Sequence, residues 1–150
     1  MYMWPDGRKY MGGYLKNKRQ GKGSYNWPDG RKYKGDFSEG NLNGKGVYTW
    51  ANGKKYTGSF IDGLREGVGI FTWPSGKKYI GKFKKDKASG RGIMKFPGKQ
   101  NYKGYFKDDQ FSGKGVYTWP DGSKYSGKFV ENRAKGEGTF TWADKSKYVG

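Results

Sequence analysis

The side chains of this chain that could do chemistry are charged or aromatic, because histidine and cysteine are both absent. The commonest general base and the usual zinc ligands are therefore missing, as are a cysteine nucleophile and a disulfide framework. Thirteen Asp and Glu residues stand against 31 Lys and Arg residues, which gives a formal net charge of +18. A field of this sign attracts anionic partners. The inventory favours binding over catalysis.

The acidic residues fall mostly in segments that the sequence predicts as loops and turns. Asp108 and Asp109 share one such loop, whereas a two-carboxylate mechanism needs two acids that face one cleft. Aspartates in the short turns are explained by local turn hydrogen bonds. The Gly-x-Gly elements lie inside predicted strands with no following helix, so they are poor phosphate-loop candidates. We predict a protein that is not an enzyme and uses no cofactor and no metal.

A tyrosine recurs every 23 residues without insertion or deletion, at Tyr10, Tyr33, Tyr56, Tyr79, Tyr102, Tyr125 and Tyr148. A glycine follows two residues after each tyrosine, and a second signature, Gly-x-Gly-x-aromatic-x-Trp, ends the unit, as in residues 44–50. Self-similarity at a fixed period of this length marks a repeat array. We divide the chain into a partial unit 1–9, six units at 10–32, 33–55, 56–78, 79–101, 102–124 and 125–147, and a partial unit 148–150. We expect both ends to truncate a longer array.

The pattern Y-x-G-x-F followed by G-x-G-x-Y-x-W-P-D-G resembles the MORN repeat (membrane occupation and recognition nexus), and the resemblance covers essentially all of residues 1–150. It implies a single-layer antiparallel sheet of hairpins that usually lacks catalytic activity. It also implies a role in membrane apposition, as a cytoskeletal scaffold, or as a domain attached to a kinase or methyltransferase.

The residues themselves predict strands when each unit is numbered from its tyrosine. Positions 1, 3 and 5 alternate on one face of a strand, and positions 14, 16 and 18 do so in a second strand. Positions 7–11 are polar and variable, so we predict hairpin loops there and short turns at Trp-Pro-Asp-Gly. Rings at positions 1, 5, 16 and 18 would cover glycines at positions 3, 12 and 14. The predicted fold is all-β: an elongated, single-layer, twisted antiparallel meander of 23-residue β-hairpin repeats.

Two units depart from the turn pattern. In the unit that starts at Tyr79, the turn glycine comes one place early, at Gly98, and in the unit that starts at Tyr125 it is replaced by Lys145. We predict a local change of turn type around residues 97–100.

Basic residues concentrate at the predicted short-turn edge, where twelve Lys or Arg residues face four Asp residues and leave +8. Because all short turns of a meander project from one side, pairs of cations should recur about 10 Å apart along that edge. The first hypothesis is therefore peripheral binding to anionic membrane lipids such as phosphatidate or phosphoinositides. The candidate lipid- or anion-binding residues are Arg31, Lys32, Lys54, Lys55, Lys77, Lys78, Lys124 and Lys147.

The alternative is a protein-docking scaffold in which an aromatic groove accepts an acidic peptide or helix. Its candidate groove residues are Tyr33, Tyr48, Trp50, Tyr56, Phe71, Trp73, Tyr79, Tyr117 and Trp119. Binding of single-stranded nucleic acid is a less favoured hypothesis, because the rings have a structural role over the glycines. Unpaired sheet edges also make a homo-oligomer plausible.

The cellular location follows from what the chain lacks. No apolar run approaches the ~20 residues that span a bilayer, and no secretory signal opens the chain. We expect a cytoplasmic protein at the periphery of the membrane or of the cortical cytoskeleton.

Overall fold

A computed structural model describes all residues 1–150 as one open sheet of 14 strands in which every strand pairs antiparallel with its sequence neighbours. The strands are β1 Tyr2–Met3, β2 Lys9–Leu15, β3 Lys18–Asn26, β4 Lys32–Ser38, β5 Asn41–Thr49, β6 Lys55–Ile61, β7 Leu64–Thr72, β8 Lys78–Lys84, β9 Lys87–Lys95, β10 Asn101–Lys107, β11 Gln110–Thr118, β12 Lys124–Val130, β13 Arg133–Thr141 and β14 Lys147–Val149. The chain forms no helix, and so none that could cross a membrane. The predicted meander of hairpins is confirmed.

The loops predicted at positions 7–11 are wrong, because the chain reverses there in only two residues. In the first full unit these are Lys16 and Asn17, with φ of 49° and 65°, and β3 already begins at Lys18. Positive φ at both central residues is the geometry of the two-residue type I′ hairpin turn. Asn, Asp and Gly at the second turn position tolerate this region, so the hairpin closes without a longer loop. Positions 9–11 therefore extend the strand.

From the second full unit onward, each two-residue turn is also bonded to the preceding unit. The Gly40 N–H donates to the carbonyl of Arg19 at 3.0 Å, and the Asp86 N–H donates to the carbonyl of Arg65 at the same distance. These contacts tie each unit to its neighbour, as expected for a repeat array.

The Trp-Pro-Asp-Gly turns are five-residue reversals of constant geometry. The Trp27 N–H donates to the Arg31 carbonyl at 2.9 Å, and the Gly30 N–H donates to the Trp27 carbonyl at 3.1 Å. The change of turn type predicted around residues 97–100 is wrong. The same two bonds form there, and Lys99 takes the left-handed place of the glycine with φ of 74°. The hydrogen bonds fix this conformation regardless of side chain.

Glycines at positions 3 and 14 form one row across the sheet, in which Gly12 pairs with Gly23 and Gly23 with Gly35. The ring of Tyr10 lies over this row, since a Cβ on Gly23 would come within 2.6 Å of the phenol oxygen. The phenol then donates to the Gly13 carbonyl at 2.8 Å. The tyrosine at position 1 is thereby confirmed as the ring that covers the glycines at positions 3 and 14.

The glycine at position 12 has another role than the predicted one. Gly21 has φ of 73° and open space around its Cα, and the strand pairing shifts beside it, between Gly12 and Tyr14. This glycine belongs to a β-bulge, where an unpaired residue needs the left-handed region. No ring covers it.

The core is a single layer of rings on one side of the sheet. Tyr33 meets Phe37 of its own unit edge-on at 5.1 Å and Phe60 of the next unit at 5.4 Å. Edge-to-face pairs contribute about 0.5–1.5 kcal/mol each beyond the area they bury. The order of this glycine-rich chain thus rests on ring contacts between successive units.

Candidate functional site

The two faces of the sheet differ in chemistry. We call the face that carries positions 1, 5, 10 and 16 the ring face. We call the opposite face the basic face, and its residues form three rows across the strands: positions 23 and 17, positions 2 and 15, and positions 4 and 13. Alternation along each strand fixes this division.

The ring face holds the aromatic residues that the sequence assigned to a partner groove, and several of them are inaccessible. Tyr33, Tyr56 and Tyr79 are at most 1% exposed and Phe71 is 7% exposed. These four residues belong to the core layer of rings, and their contact with a partner stays a prediction. The other five are partly exposed: Tyr48, Trp50, Trp73, Tyr117 and Trp119.

Burial also removes the tyrosines from acid–base chemistry. It raises the pKa of Tyr56 to about 12 and that of Tyr102 to about 12. The same cause raises the pKa of Tyr10, Tyr33 and Tyr79. These phenols stay neutral in ordinary solution and act as hydrogen-bond donors within the sheet.

The cation pairs predicted along the short-turn edge are split between the two faces. Arg31 folds onto the ring face, where its guanidinium carbon lies 4.9 Å from the Trp27 ring centre. Lys77 does the same over Trp73 at 4.6 Å. Consecutive residues of an extended chain point to opposite faces, so a continuous strip of pairs does not form. Lys54 joins the ring face, whereas the basic face receives Lys32, Lys55, Lys78, Lys124 and Lys147.

The turn aspartates serve the turn, as predicted. Asp29 Oδ1 accepts a hydrogen bond from the Arg31 N–H at 3.0 Å, and Oδ2 pairs with Arg31 Nε at 2.7 Å. The backbone N–H of Arg31 is the main group that holds the pKa of Asp29 below its ordinary value. No group of three or more acids lies close enough to hold a metal ion.

The basic face carries most of the net charge. Its three rows contain 15 basic residues and two acidic ones, a net +13 of the total +18. The ion pair of Lys22 with Asp36, at 3.1 Å, is the single one formed among the 15. The first row alternates lysine mainly with threonine or asparagine and contains Lys9, Lys32, Lys55, Lys78, Lys95, Lys124 and Lys147. The charge that the sequence placed on an edge is spread over a face.

A groove of about 900 Å³ runs along the basic face from β8 to β13. Its floor is the backbone of the glycine row, because positions 3 and 14 face the ring side while the rows that flank them project on the basic face. One wall is mainly aliphatic, with Lys103 and Ser126 in the same row, and the other is mainly cationic. The aliphatic wall includes Ile80, Ile93 and Val116, and the cationic wall includes Arg91, Lys114 and Lys128. Five strand spacings of about 4.8 Å make the groove about 24 Å long.

One polar contact orders the cationic wall. Arg91 Nε donates to the phenol oxygen of Tyr105 at 3.0 Å, and the guanidinium carbon lies 5.4 Å from that ring centre. Glu137 lies at the far end as the groove's one carboxylate. This groove was missed from the sequence, although basic residues recurring at positions 4 and 13 beside glycine at positions 3 and 14 were the signal for it.

The basic face places cations beside apolar side chains, an arrangement that suits an anion with apolar neighbours. Nucleic-acid bases would find few free rings on this face, since its groove contains only Tyr105 as an aromatic residue. The rings that stacking on bases requires lie mainly in the buried layer on the other side.

Comparison with known proteins identifies the repeat. A family model described as "MORN repeat" matches residues 10–30, 33–55, 56–78, 79–99, 102–124 and 125–147. No curated protein matches the chain significantly.

Among solved structures, the chain is similar to the TCP domain of SAS-4 (dCPAP) from Drosophila melanogaster, in complex with a proline-rich motif of Ana2 (dSTIL). The TM-score is 0.62 at 11% identity, over 99% of this chain and 80% of that chain. A second structure, the TCP10c domain of Drosophila melanogaster Sas-4, has a TM-score of 0.47 at 15% identity, over 95% of this chain and 97% of that one. At 11% identity, the first similarity shows a shared sheet architecture.

Proposed function

The chain belongs to the MORN repeat family, and from this premise we propose that it is a non-catalytic docking scaffold whose basic face binds an acidic, extended segment of a partner protein. The single observation that carries this proposal is the groove over the glycine row, which combines an aliphatic wall with a cationic wall.

The shape of the groove sets the form of the ligand. An extended peptide rises about 3.3 Å per residue, so about seven residues fill 24 Å. Its successive side chains point to opposite sides, and each side would meet one wall of the groove. A segment that alternates Asp or Glu with Val, Ile or Leu therefore matches the groove in both length and chemistry. The complex of the similar SAS-4 domain with a proline-rich motif supports an extended ligand.

The electrostatics favour the same ligand. Arg91, Lys114 and Lys128 have no ion-pair partner within the chain, so a carboxylate would not have to displace one. Charge-assisted hydrogen bonds contribute more than neutral ones, and Arg91 is held by Tyr105 in a fixed orientation.

The test is a fluorescence-anisotropy titration with a labelled seven-residue peptide that alternates Glu and Val. Reversal of Arg91, Lys114 and Lys128 to Glu is expected to abolish binding. A matched control reverses Lys16, Lys99 and Lys145, which lie in turns, and changes net charge by the same amount. The control should weaken binding only a few-fold. Equal losses in the two variants would show that net charge alone attracts the peptide and would contradict the proposal.

Anionic lipid headgroups are the second candidate, and the row of seven lysines on the basic face favours them. Lysines in this row recur mostly every second strand, about 10 Å apart. Each basic residue near an anionic leaflet contributes about 1 kcal/mol, so the row would hold the protein at a membrane surface. Lipid binding would place the chain at the membrane periphery of the cytoplasm.

Vesicle sedimentation separates the two candidates. Reversal of Lys32, Lys55, Lys78 and Lys124 to Glu should abolish sedimentation with vesicles that contain phosphatidate, and binding of wild type should be lost at about 0.5 M salt. The Arg91, Lys114 and Lys128 reversal should affect the peptide more than the vesicles. Equal binding to neutral and anionic vesicles would exclude lipid recognition by this row.

A further inference from the structure

The ring face has a recess at a single interior unit. Position 10 holds alanine in two of the six units, Ala88 and Ala134, and a large side chain in the other four, namely Arg19, Leu42, Arg65 and Phe111. Ala134 lies in the last full unit and is exposed, whereas Ala88 is buried. A cavity of about 310 Å³ lies at this place. Its apolar lining consists of Phe71, Trp73, Tyr79, Phe83, Ala88 and Met94, and its charged lining of Lys54, Arg65, Lys77 and Asp109.

The preceding unit shows how this place is filled by an arginine. Arg65 Nε donates to Asp86 Oδ1 at 2.7 Å, and Arg65 Nη2 donates to the Asp86 carbonyl at 2.6 Å. The same carboxylate accepts the backbone N–H of Arg65 at 3.2 Å. The guanidinium carbon lies 5.2–5.9 Å from the centres of four rings, those of Trp50, Tyr56, Phe71 and Phe83.

At Ala88 the frame recurs without the guanidinium and with Met94 in the place of Phe71. Asp109 stands where Asp86 stands one unit earlier, and its Oδ1 accepts the Ala88 N–H at 2.7 Å. No side chain donates a hydrogen bond to Asp109. Trp73 and Tyr79 repeat the places of Trp50 and Tyr56, and both line the cavity.

We infer that the recess at Ala88 binds an arginine side chain presented by a protein partner. The guanidinium would lie over Tyr79 and Met94, beside the Lys77 ammonium that covers Trp73, and donate to Asp109, as Arg65 does to Asp86 one unit earlier. Stacking on aromatic faces together with a directed hydrogen bond is the environment that arginine takes more readily than lysine.

The cations at the rim do not exclude this ligand. Arg65 occupies its own site although a lysine, Lys54, stands at position 22 of the preceding unit. Lys77 stands at the same position relative to the recess at Ala88. Arg19 likewise lies 5.0 Å from the Tyr25 ring, with Arg8 at the equivalent place and within 3.4 Å of the same phenol oxygen. The repeat therefore accommodates two cations at this spacing.

The next unit distinguishes arginine from an aromatic ligand. There Phe111 stacks on Tyr102 at 3.9 Å, and its backbone N–H is bonded at 2.8 Å to the neutral amide of Asn132. A ring is thus paired with an amide at position 8 of the following unit, whereas Arg65 is paired with a carboxylate there and Arg19 with the backbone carbonyl of Gly40, at 2.6 Å. Asp109 makes the recess at Ala88 a carboxylate site.

The experiment uses the full chain and a blocked Gly-Arg-Gly peptide, with the matching Gly-citrulline-Gly peptide as the uncharged isostere. The readout is the NMR shift of the Trp73 indole N–H during titration. The arginine peptide should give a saturable shift, and citrulline should bind about tenfold or more weakly. Equal binding of the two peptides, or tighter binding of a Gly-Phe-Gly peptide, would overturn the inference.

Three variants make the test specific. Asp109→Asn keeps an oxygen for the Ala88 N–H, as Asn132 does for Phe111, and should weaken the arginine peptide about tenfold while the fold is retained. Ala88→Arg fills the recess from within and should abolish the shift. Ala134→Arg, at the same repeat position in the last unit, should leave it unchanged. Retained binding in folded Ala88→Arg would contradict the assignment.

Discussion

Substitution of one glycine in the row beneath the rings should disrupt the layer that holds the sheet together. A Cβ on Gly69 would clash with Tyr56 Cε2 and would lie 2.5 Å from the phenol oxygen of the same ring. Tyr56 is fully buried and cannot move aside without leaving its contacts. Those contacts are edge-on packing with Phe60 at 5.1 Å and Phe83 at 5.0 Å, and a 2.8 Å hydrogen bond to the Ser59 carbonyl. At about 1 kcal/mol for each of the three, Gly69→Ala should destabilise the protein by about 3 kcal/mol.

The matched control is Gly63→Ala, because Gly63 has an unfavourable φ but open space for a Cβ, whereas at Gly69 the space is blocked by a ring. Its φ of +82° disfavours a side chain, yet a Cβ at this position would meet nothing within 4 Å. Conformational strain alone should cost about 1 kcal/mol. The assay is urea unfolding followed by tryptophan fluorescence. In a double-mutant cycle, Tyr56→Leu should remove most of the added cost of Gly69→Ala, since the clashing ring is gone. If Gly69→Ala lowers the free energy of unfolding no more than Gly63→Ala does, the ring does not block this position.

Three further predictions concern turns and ionisation. Lys99→Gly and Lys145→Gly should each stabilise the protein by about 0.5–1 kcal/mol, because both lysines occupy the left-handed region with φ near 74° and 73°. A higher urea midpoint would show this gain in stability, and an unchanged or lower midpoint would argue against strain in the turn. Burial raises the pKa of Tyr56 and Tyr102 to about 12. Their contribution to stability is therefore complete below about pH 10 and is lost as the pH rises towards 12. Thermal unfolding monitored together with tyrosinate absorbance should show this loss, and constant stability across that range would contradict it. Backbone hydrogen bonds lower the pKa of Asp29 and Asp121, so the contribution of these carboxylates to stability is present above about pH 4 and is lost at lower pH. The Asp29→Asn, Asp121→Asn variant keeps the turn acceptors and should lose less stability between pH 5 and 2 than wild type. An equal loss of stability would assign acid sensitivity to other groups.

The fold could be predicted from the sequence because two short-range signals agree in every unit. Tyrosine, glycine and phenylalanine at alternate positions identify a strand, and Trp-Pro-Asp-Gly identifies a reversal. Which reversal is the shorter one could not be predicted, because the two-residue turn at Lys85 and Asp86 contains ordinary polar residues. Their positive φ comes from the hairpin geometry and from the hydrogen bond of the Asp86 N–H to the preceding unit. Neither can be read from the sequence of a single repeat unit.

The candidate site was harder to predict, because it depends on which face each side chain takes. Arg31 and Lys32 are adjacent letters, yet Arg31 covers Trp27 while Lys32 joins the opposite face. Counting charge by segment therefore placed the cations on an edge. Counting it by alternate positions would have shown the basic face. Association through the sheet edges, predicted from the sequence, stays a prediction.

The proposed binding of a partner to the basic face, over the glycine row, is tested by paramagnetic broadening of amide NMR signals by a spin-labelled peptide that alternates Glu and Val. We expect broadening centred on Ile93, Lys103 and Val116. Broadening confined to the Trp-Pro-Asp-Gly turns or to the ring face would contradict it.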